Sequence, residues 1–207
     1  KGQLSMLWFR DVDLEVPQRH GRAPSPLFDH GRLFHQGIDA IVAVDAYTGR
    51  ELWRVTIPGL LKAYDGDELM GVSGTQSNFC VHDGSVYVRD EDKCLRLDAA
   101  TGKLLNEFKP PADKDGKPTR WGYIACVNGI LYGSVANTEH VVTYRYRSRG
   151  GDMSRQLTES KSLFAMNAKT GKLLWHYQAK NSIRHNAIAI DDEKVCLIDR
   201  PLAIFDR

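Results

Sequence analysis

The chain has 207 residues, of which 42% are hydrophobic and 26% charged, and its formal net charge at pH 7 is +2. This composition is typical of a globular protein, and the nearly balanced charge does not favour binding to nucleic acid or to an anionic membrane surface. No apolar run reaches the roughly 18 to 20 residues of a membrane-spanning helix, and the first residues lack the apolar core of a signal peptide.

The predicted elements are all short strands. The first covers residues 6–10 and contains Trp8. Residues 22–58 then hold four apolar or alternating runs, "SPLF", "GRLFHQ", "VAVD" and "ELWRVTI", separated by turns rich in Gly, Asp and Asn. Runs of this length without helical periodicity predict antiparallel hairpins.

The same order of four strands returns along the chain, in residues 77–110 and 121–179, and residues 186–207 hold three more strands. The last two strands of each complete set are joined by one repeated phrase. It reads "VAVDAYTGRELW" at 42–53, "LRLDAATGKLLN" at 95–106 and "FAMNAKTGKLLW" at 164–175. Its Asp or Asn can bond the backbone of the coming turn, and its glycine can take a positive φ, so the phrase predicts a hairpin.

Four antiparallel strands in each repeat of about 50 residues predict the blades of a β-propeller. Trp53 and Trp175 lie four residues after the glycine of the phrase, where each is expected to dock on a neighbouring blade. Trp8 fits the same position of a preceding blade. Asn106 takes this position in the second repeat, so that dock is expected to be weaker or differently packed. Replacing Trp53 or Trp175 by Ala is expected to cost about 3 to 5 kcal/mol.

The docking phrase resembles the repeat of the pyrroloquinoline quinone-like, quinoprotein alcohol dehydrogenase-like propellers. The residues that carry the resemblance are Ala43, Asp45, Thr48, Gly49, Trp53, Asp98, Thr101, Gly102, Ala165, Asn167, Thr170, Gly171 and Trp175. The longer phrases "APSPLFDHGRLF" and "LTESKSLFAMNAKTGKLLW" are similar to propeller proteins of planctomycete bacteria.

The resemblance implies an all-β propeller region that spans the whole chain, with about four blades that form an arc of a larger, seven- or eight-bladed ring. The alternative is a closed four-bladed ring, in which residues 7–10 pair with residues 202–206. The resemblance also implies other blades or domains of a longer parent protein as partners, and a periplasmic or cell-envelope location.

The same resemblance leaves two functions open, because the family includes cofactor-free propellers such as the outer-membrane assembly lipoprotein as well as dehydrogenases. The first is a non-catalytic binding or scaffolding module with no cofactor. The second is part of a quinone-dependent alcohol dehydrogenase that uses pyrroloquinoline quinone with calcium. Such dehydrogenases place a disulfide between adjacent cysteines over the quinone, and this sequence has no adjacent cysteines.

Polar, cationic and aromatic residues precede the first strand of each repeat, which in a propeller lines the central channel. They are His20, Arg22, Asn78, Arg120, Trp121, Arg184, His185 and Asn186. Together they would suit a flat anionic ligand through charge-assisted hydrogen bonds and stacking, and they define a candidate ligand site at the channel mouth. The alternative is that they only solvate a water-filled channel.

The remaining patterns predict no catalytic residue and no metal site. The acidic runs at 63–68 and 89–93 lack the ligand spacing of a calcium loop, and the second falls at a hairpin where charges are expected to face water. The sequence contains neither the nucleophile motif of hydrolases nor a nucleotide-binding glycine motif. The four cysteines lie apart in apolar strands and predict buried free thiols; they are Cys80, Cys94, Cys126 and Cys196.

An insertion at 138–161 separates the second and third strands of the third repeat. It could extend the hairpin, with a polar tip that contacts a partner protein, an acidic glycan or another domain. A solvated loop is the alternative. The arginines of the tip are Arg145, Arg147, Arg149 and Arg155.

Overall fold

The structure, a computed structural model, describes residues 6–9, 25–37, 39–60, 78–138 and 159–201. Within these ranges the regular structure is β-strand, apart from one 3-10 turn at His185–Ala187. The strands form two four-stranded sheets, one five-stranded sheet and one two-stranded sheet. The expectation of an all-β fold with four-stranded antiparallel blades is therefore confirmed.

Blade 1 is the sheet of the first repeat. Its strands are β1 (Leu27–Asp29), β2 (Arg32–Gln36), β3 (Ala40–Asp45) and β4 (Glu51–Thr56). Each strand pairs antiparallel with the next, so the blade is a meander in chain order.

Blade 2 repeats this meander. Its strands are β5 (Phe79–His82), β6 (Ser85–Asp90), β7 (Lys93–Asp98) and β8 (Leu104–Phe108). The run at 89–93 does fall at the hairpin between β6 and β7, as predicted.

Blade 3 is the longest sheet. Its strands are β9 (Trp121–Val127), β10 (Ile130–Ala136), β11 (Glu159–Asn167) and β12 (Leu173–Arg184). Most of the insertion, with the four arginines of its tip, lies outside the described residues.

Three short strands follow blade 3. Strands β13 (Ala189–Ile190) and β14 (Val195–Cys196) pair as a hairpin, and β15 (Asp199–Arg200) joins blade 3 as a fifth strand beside the end of β12. The strand predicted at 202–206 lies outside the described residues, and so does Arg10. The arc and the closed ring therefore both stay predictions.

The repeated phrase forms the hairpin that the sequence predicts. In blade 2 the Asp98 carboxylate accepts the Thr101 backbone N–H and the Thr101 hydroxyl, both at 2.8 Å. The Thr101 hydroxyl is the main reason why the pKa of Asp98 is lowered. Gly102 has a φ of +73° and donates its N–H to the Asp98 carbonyl oxygen at 2.8 Å. The phrase therefore builds a turn.

The same turns receive the docking tryptophans. Trp8 donates its indole N–H to the carbonyl oxygen of Ala46 at 2.9 Å, although residues 6–9 form no strand. Trp53 donates in the same way to Ala99 of blade 2 at 3.0 Å. A Cβ atom at Gly102 would lie 2.9 Å from the Trp53 ring, so the close stacking of this ring requires glycine. Trp53 thus joins blade 1 to blade 2, as predicted.

In the dock between blade 2 and blade 3, two residues take the place of the single tryptophan: one provides the ring and the other the hydrogen-bond donor. Phe108, two positions after Asn106, packs its ring against Gly171 of blade 3. Tyr87 donates its hydroxyl to the carbonyl oxygen of Ala168 at 3.2 Å, which corresponds to the indole bond of the other docks. The prediction of a different packing at Asn106 is therefore confirmed.

The stability of this interface depends on pH in alkaline solution, because the Tyr87 hydroxyl can ionise whereas the indole of a docking tryptophan does not. Burial, followed by the charge of Cys126, raises the pKa of Tyr87 to about 12. The unfolded chain loses this proton near the ordinary tyrosine pKa of about 10, so the contribution of Tyr87 to stability is present below pH 10 and is lost as pH rises towards 12. Denaturation in urea should show a steeper fall in stability over this range for the native chain than for Tyr87→Phe. Equal slopes would contradict the assignment of the dock to Tyr87.

A second set of contacts joins the blades at the turns between their first two strands. The Gly84 backbone N–H donates to the Asp29 carboxylate at 3.1 Å, and the Gly129 N–H donates to the imidazole Nε2 of His82 at 3.0 Å. Asp29 and His82 occupy equivalent last positions of β1 and β5. The interface between blades 1 and 2 and the interface between blades 2 and 3 are therefore each held by two sets of contacts, one at the Thr-Gly turn and one at the turn between the first two strands.

The hydrophobic cores lie between blades. One cluster includes Phe34, Trp53 and Phe79 and lies between blades 1 and 2, and another includes Phe108 and Trp121 and lies between blades 2 and 3. Each blade is thus stabilised mainly by its neighbours, as in other repeat proteins.

Trp175 is placed differently from the other docking residues. Its side chain is 38% exposed and lies beside Tyr132 of its own blade, with ring centroids 6.1 Å apart. Leu173 and Leu174 of the same strand are also exposed. That Trp175 docks on a further blade stays a prediction.

In the described part of the chain, no helix is long and apolar enough to cross a membrane.

Candidate functional site

Buried polar side chains gather at one end of the blades. This end, called the polar end here, is where β5 and β9 begin and where β6 and β10 finish, opposite the Thr-Gly turns. One buried polar residue of the described chain, Ser85, lies at the other end. The buried polar residues at the polar end are Gln36, Asn78, Arg89, Ser134, Glu159, Ser160, Ser162, Ser182 and His185.

Three of these residues occupy equivalent positions in the three blades. Gln36, Arg89 and Ser134 each lie five residues after the glycine that opens the second strand, and all are at most 2% exposed. The Gln36 amide has no hydrogen-bond partner among the described residues. The repeat therefore places a polar layer near the end of each second strand, although the side chain differs from blade to blade.

In blade 2 this layer is a buried arginine held by an asparagine. Arg89 donates from Nε and Nη2 to the Asn78 amide oxygen at 3.0 and 2.6 Å, and both residues are fully buried. The sequence predicted that the charges of residues 89–93 face water. That prediction is wrong for Arg89, because its side chain points inward from β6 while Glu91 and Asp92 form the exposed turn.

In blade 3 the layer is a chain of hydrogen bonds that ends at His185. The Ser134 hydroxyl accepts the Tyr123 backbone N–H at 2.6 Å and a hydrogen bond from Ser160 at 2.7 Å. The Ser160 hydroxyl also lies 2.6 Å from the His185 imidazole Nε2. A Cβ atom at Gly122 would lie within 2.9 Å of all three polar side chains, so only glycine leaves room for them. His185 is thus tied to the sheet of blade 3.

Next to these hydrogen bonds, the Glu159 carboxylate lies close to two cationic side chains. Its carboxylate accepts a hydrogen bond from Arg184 Nε at 2.8 Å and another from the Ser182 hydroxyl at 2.8 Å, while Arg200 Nη2 lies 3.9 Å away. Glu159 is fully buried, and a buried carboxylate is stable only when it is paired in this way. The guanidinium of Arg184 is therefore held by the protein itself.

Asp199 fixes the end of β12 from the neighbouring strand β15. Its carboxylate accepts the backbone N–H groups of Lys180 and Asn181 at 2.7 and 2.9 Å and the Tyr177 hydroxyl at 2.9 Å. Desolvation alone would raise the pKa of Asp199, but the hydrogen bonds outweigh it and lower the pKa. The hydrogen bond to Asp199 also raises the pKa of Tyr177. This anchor holds Ser182 and Arg184 in place.

The predicted channel-mouth residues do not form one cluster. Asn78 and Trp121 are buried in the blades, and Trp121 donates its indole N–H to the Tyr123 carbonyl oxygen at 2.9 Å. Asn186 is exposed. Arg184 and His185 lie together beside Glu159 and Ser160, whereas Arg120 lines a separate cavity. His20 and Arg22 lie outside the described residues.

The cavity at Arg120 has a volume of about 540 Å³ and lies beside the polar end of blade 3. One wall is the loop that leads into β9, and the other is the end of β10 with part of β11. The lining residues are Asp113, Pro118, Thr119, Arg120, Val135, Ala136, Thr138 and Lys161. The volume lies within the range of about 300 to 1,000 Å³ typical of small-molecule sites.

The cysteines are placed as free thiols. Cys94 is buried, Cys80 and Cys126 are partly buried, and Cys196 is exposed, which differs from the prediction that all four are buried. Cys196 is exposed because β14 belongs to a hairpin of only two strands. Burial raises the pKa of Cys80 and Cys94 well above the ordinary thiol value, so these two thiols are poor nucleophiles.

Among the described residues, no buried carboxylate is free to bind a calcium ion. A calcium site needs several free oxygen ligands, but the buried carboxylate of Glu159 is already bonded by Arg184 and Ser182. In the part of the chain that the structure describes, no three His, Cys, Asp or Glu side chains are grouped so that they could bind a metal.

Sequence reasoning missed Glu159, Ser160, Ser134 and Arg89 as parts of the polar end. The equivalent spacing of Arg89 and Ser134 after the glycines Gly84 and Gly129 could have shown that they share one layer. No local pattern marks Glu159 or Ser160, because they follow a long insertion.

Four-stranded meanders that dock on one another through aromatic rings at Thr-Gly turns define the chain as a β-propeller with pyrroloquinoline quinone-like repeats. A model of the family described as outer membrane protein assembly factor BamB matches residues 6–110 and, in a second match, residues 39–202. The chain belongs to this family, as its docking phrases indicated.

Two dehydrogenases are similar to this chain. It is 27% identical over 186 residues to the lanthanide-dependent methanol dehydrogenase of Methylacidiphilum fumariolicum, and this match covers 73% of the chain and 29% of the relative. The structure of the quinohemoprotein alcohol dehydrogenase ADHIIG from Pseudomonas putida HK5 matches with a TM-score of 0.52 and 20% identity, over 80% of the chain and 22% of that protein. The latter likeness shows the fold alone.

BamB from Moraxella catarrhalis has a TM-score of 0.47 and 13% identity, over 84% of the chain and 47% of that protein. The chain spans less than a third of the length of the methanol dehydrogenase and less than a quarter of the length of the alcohol dehydrogenase.

Proposed function

We propose that the chain is part of a non-catalytic β-propeller that binds a ligand or another protein at the polar end of its blades. The observation that carries this proposal is the pairing of the polar residues with one another. Arg184 is bonded to Glu159, His185 to Ser160 and Arg89 to Asn78. Polar groups that satisfy one another in this way stiffen the strands that carry them and so provide a rigid platform.

A platform of this kind is consistent with the contacts between the blades. Ring docks and backbone hydrogen bonds fix each blade to the next, so the loops at the polar end start from rigid strands. Binding residues are often placed on loops that a rigid scaffold positions. In this proposal, the exposed face around Trp175 is covered by another blade or domain of a longer parent protein.

The second candidate is part of a quinone-dependent alcohol dehydrogenase. The similarity to the lanthanide-dependent methanol dehydrogenase favours it. In that case residues outside the described ranges, or outside this chain, would bind the quinone and the metal, since Glu159 is already paired.

The two candidates are separated by an assay of the full-length protein that contains this chain. The protein is loaded with pyrroloquinoline quinone and either calcium or a lanthanide, and methanol or ethanol oxidation is followed with a dye as electron acceptor. We expect no turnover above that of the protein without quinone. Turnover that depends on both quinone and metal would overturn the proposal of a non-catalytic module.

A further inference from the structure

We infer that the cavity beside Arg120 is a binding site for a small molecule that carries a carboxylate or phosphate group. The inference rests on the proposed function as a binding module and names the class of ligand for one site. It is carried by two observations: an arginine with a fixed backbone that is not part of any ion pair among the described residues, and a preformed wall.

The backbone of Arg120 is fixed from both sides. Its carbonyl oxygen accepts the Ala136 N–H at 2.9 Å, and the next residue, Trp121, donates its N–H to the carbonyl oxygen of Glu91 in blade 2 at 2.7 Å. The Trp121 ring is fully buried and packs edge-on against Phe164 with centroids 5.0 Å apart. The guanidinium therefore projects from a rigid base.

The structural arginines of this chain show how Arg120 differs. Arg184 is bonded to the buried Glu159 at 2.8 Å, and Arg54 is paired with Glu51 at 3.1 Å. No carboxylate of the described residues forms such a pair with Arg120, whose side chain lines the cavity instead. A guanidinium offers a planar fork of donors that matches a carboxylate or a phosphate in two parallel hydrogen bonds.

The loop wall of the cavity is held by its own hydrogen bonds. The Asp113 carboxylate accepts the backbone N–H groups of Asp115 and Lys117 at 3.0 and 2.7 Å, and the Thr119 hydroxyl donates to the Pro111 carbonyl oxygen at 2.8 Å. A wall that is already formed reduces the entropy lost when a ligand binds.

The carboxylate in the lining is less repulsive to an anion than a free one. Arg120 lines the cavity together with one carboxylate, Asp113. That carboxylate already accepts two backbone N–H groups of its own loop, so it repels an anion less than a free carboxylate would. Two apolar residues, Pro118 and Val135, also line the cavity.

The test is a titration followed by ¹⁵N nuclear magnetic resonance. The 207-residue chain is titrated with inorganic phosphate and, separately, with succinate, and choline chloride at equal ionic strength provides the cationic control. We expect saturable shifts of the Arg120 Nε–H signal and of the Thr119 and Thr138 amide signals with at least one of the two anions. A response to one anion alone assigns the chemical group of the ligand. The absence of a saturable shift with either anion would overturn the inference.

The variant Arg120→Gln should weaken binding at least tenfold and leave the melting temperature unchanged, because it removes no structural ion pair. The matched control is Arg50→Gln, which removes the same charge at the exposed Thr-Gly turn of blade 1 and should leave binding unchanged. Equal weakening by both variants would mean that only general charge is sensed and would overturn the inference. A large fall in the melting temperature of Arg120→Gln would also overturn it, since it would make this arginine structural.

The inference about the cavity can be wrong while the proposed function is right. Anion binding is read from the shifts at Arg120, whereas catalysis is read from turnover that requires quinone and metal. Turnover together with anion binding would overturn only the proposal of a non-catalytic module.

Discussion

Trp53→Ala is expected to lower the free energy of unfolding by about 3–5 kcal/mol, as for other buried aromatic residues. The Trp53 ring is 9% exposed, stacks on Gly102 of the next blade and donates its indole N–H to Ala99. The substitution leaves a cavity between two blades and an unpaired carbonyl oxygen. Chemical denaturation of the native chain and the variant measures the loss.

Trp175→Ala is the matched control for this measurement in the same chain. From the sequence, replacement of either tryptophan by Ala is expected to lower the free energy of unfolding by the same amount. The structure changes this expectation because Trp175 is 38% exposed and packs beside Tyr132 of its own blade. Its replacement should cost no more than about 1 kcal/mol in this chain, as for other surface positions. Losses of similar size for the two variants would contradict the assignment of Trp53, and not Trp175, as a formed dock.

Phe108→Ala is expected to cost a similar amount, about 3–5 kcal/mol. Phe108 is 6% exposed and packs against Gly171 in the core between blades 2 and 3. The matched control is Asn106→Ala, at the position that the phrase assigns to the docking tryptophan. Asn106 is exposed, so this change should cost about 0.5 kcal/mol or less.

The denaturation curves of the two variants decide which residue is the dock. A small loss for Phe108→Ala would mean that blade 3 is held mainly by other contacts. A large loss for Asn106→Ala would mean that the dock is at the tryptophan position after all.

The sequence predicts the hairpins well because their causes are local. Asp98, Thr101 and Gly102 lie within five residues of one another, and each has one chemical reason to be at its position in the turn. Trp53 is also predicted correctly, since its position after the glycine is the same as in the family that the chain resembles.

The dock at Phe108 is only partly predictable. Side chains two positions apart point to the same side of a strand, so a ring at Phe108 could be considered as a substitute for Asn106. The hydrogen bond of Tyr87 to Ala168 joins residues 81 positions apart, and no pattern in the sequence marks it.

The candidate site is less predictable than the fold, because its contacts cross between strands that are distant in sequence. The sequence places Arg184 and His185 side by side but gives no sign of their partners, Glu159 and Ser160, 25 residues earlier. It also groups Arg120 with them, although the structure puts this residue at a separate cavity. Which strand face a polar residue takes depends on the register, and register is set by the assembled blade.

The divided dock between blades 2 and 3 has a consequence for how such repeats diverge. A single tryptophan provides both a ring and a hydrogen-bond donor, so its loss by mutation removes both at once. Where Phe108 supplies the ring and Tyr87 the donor, each can be gained or lost in a separate mutation. A search that recognises blades by their tryptophan would therefore overlook repeats of this kind and count too few in related genomes.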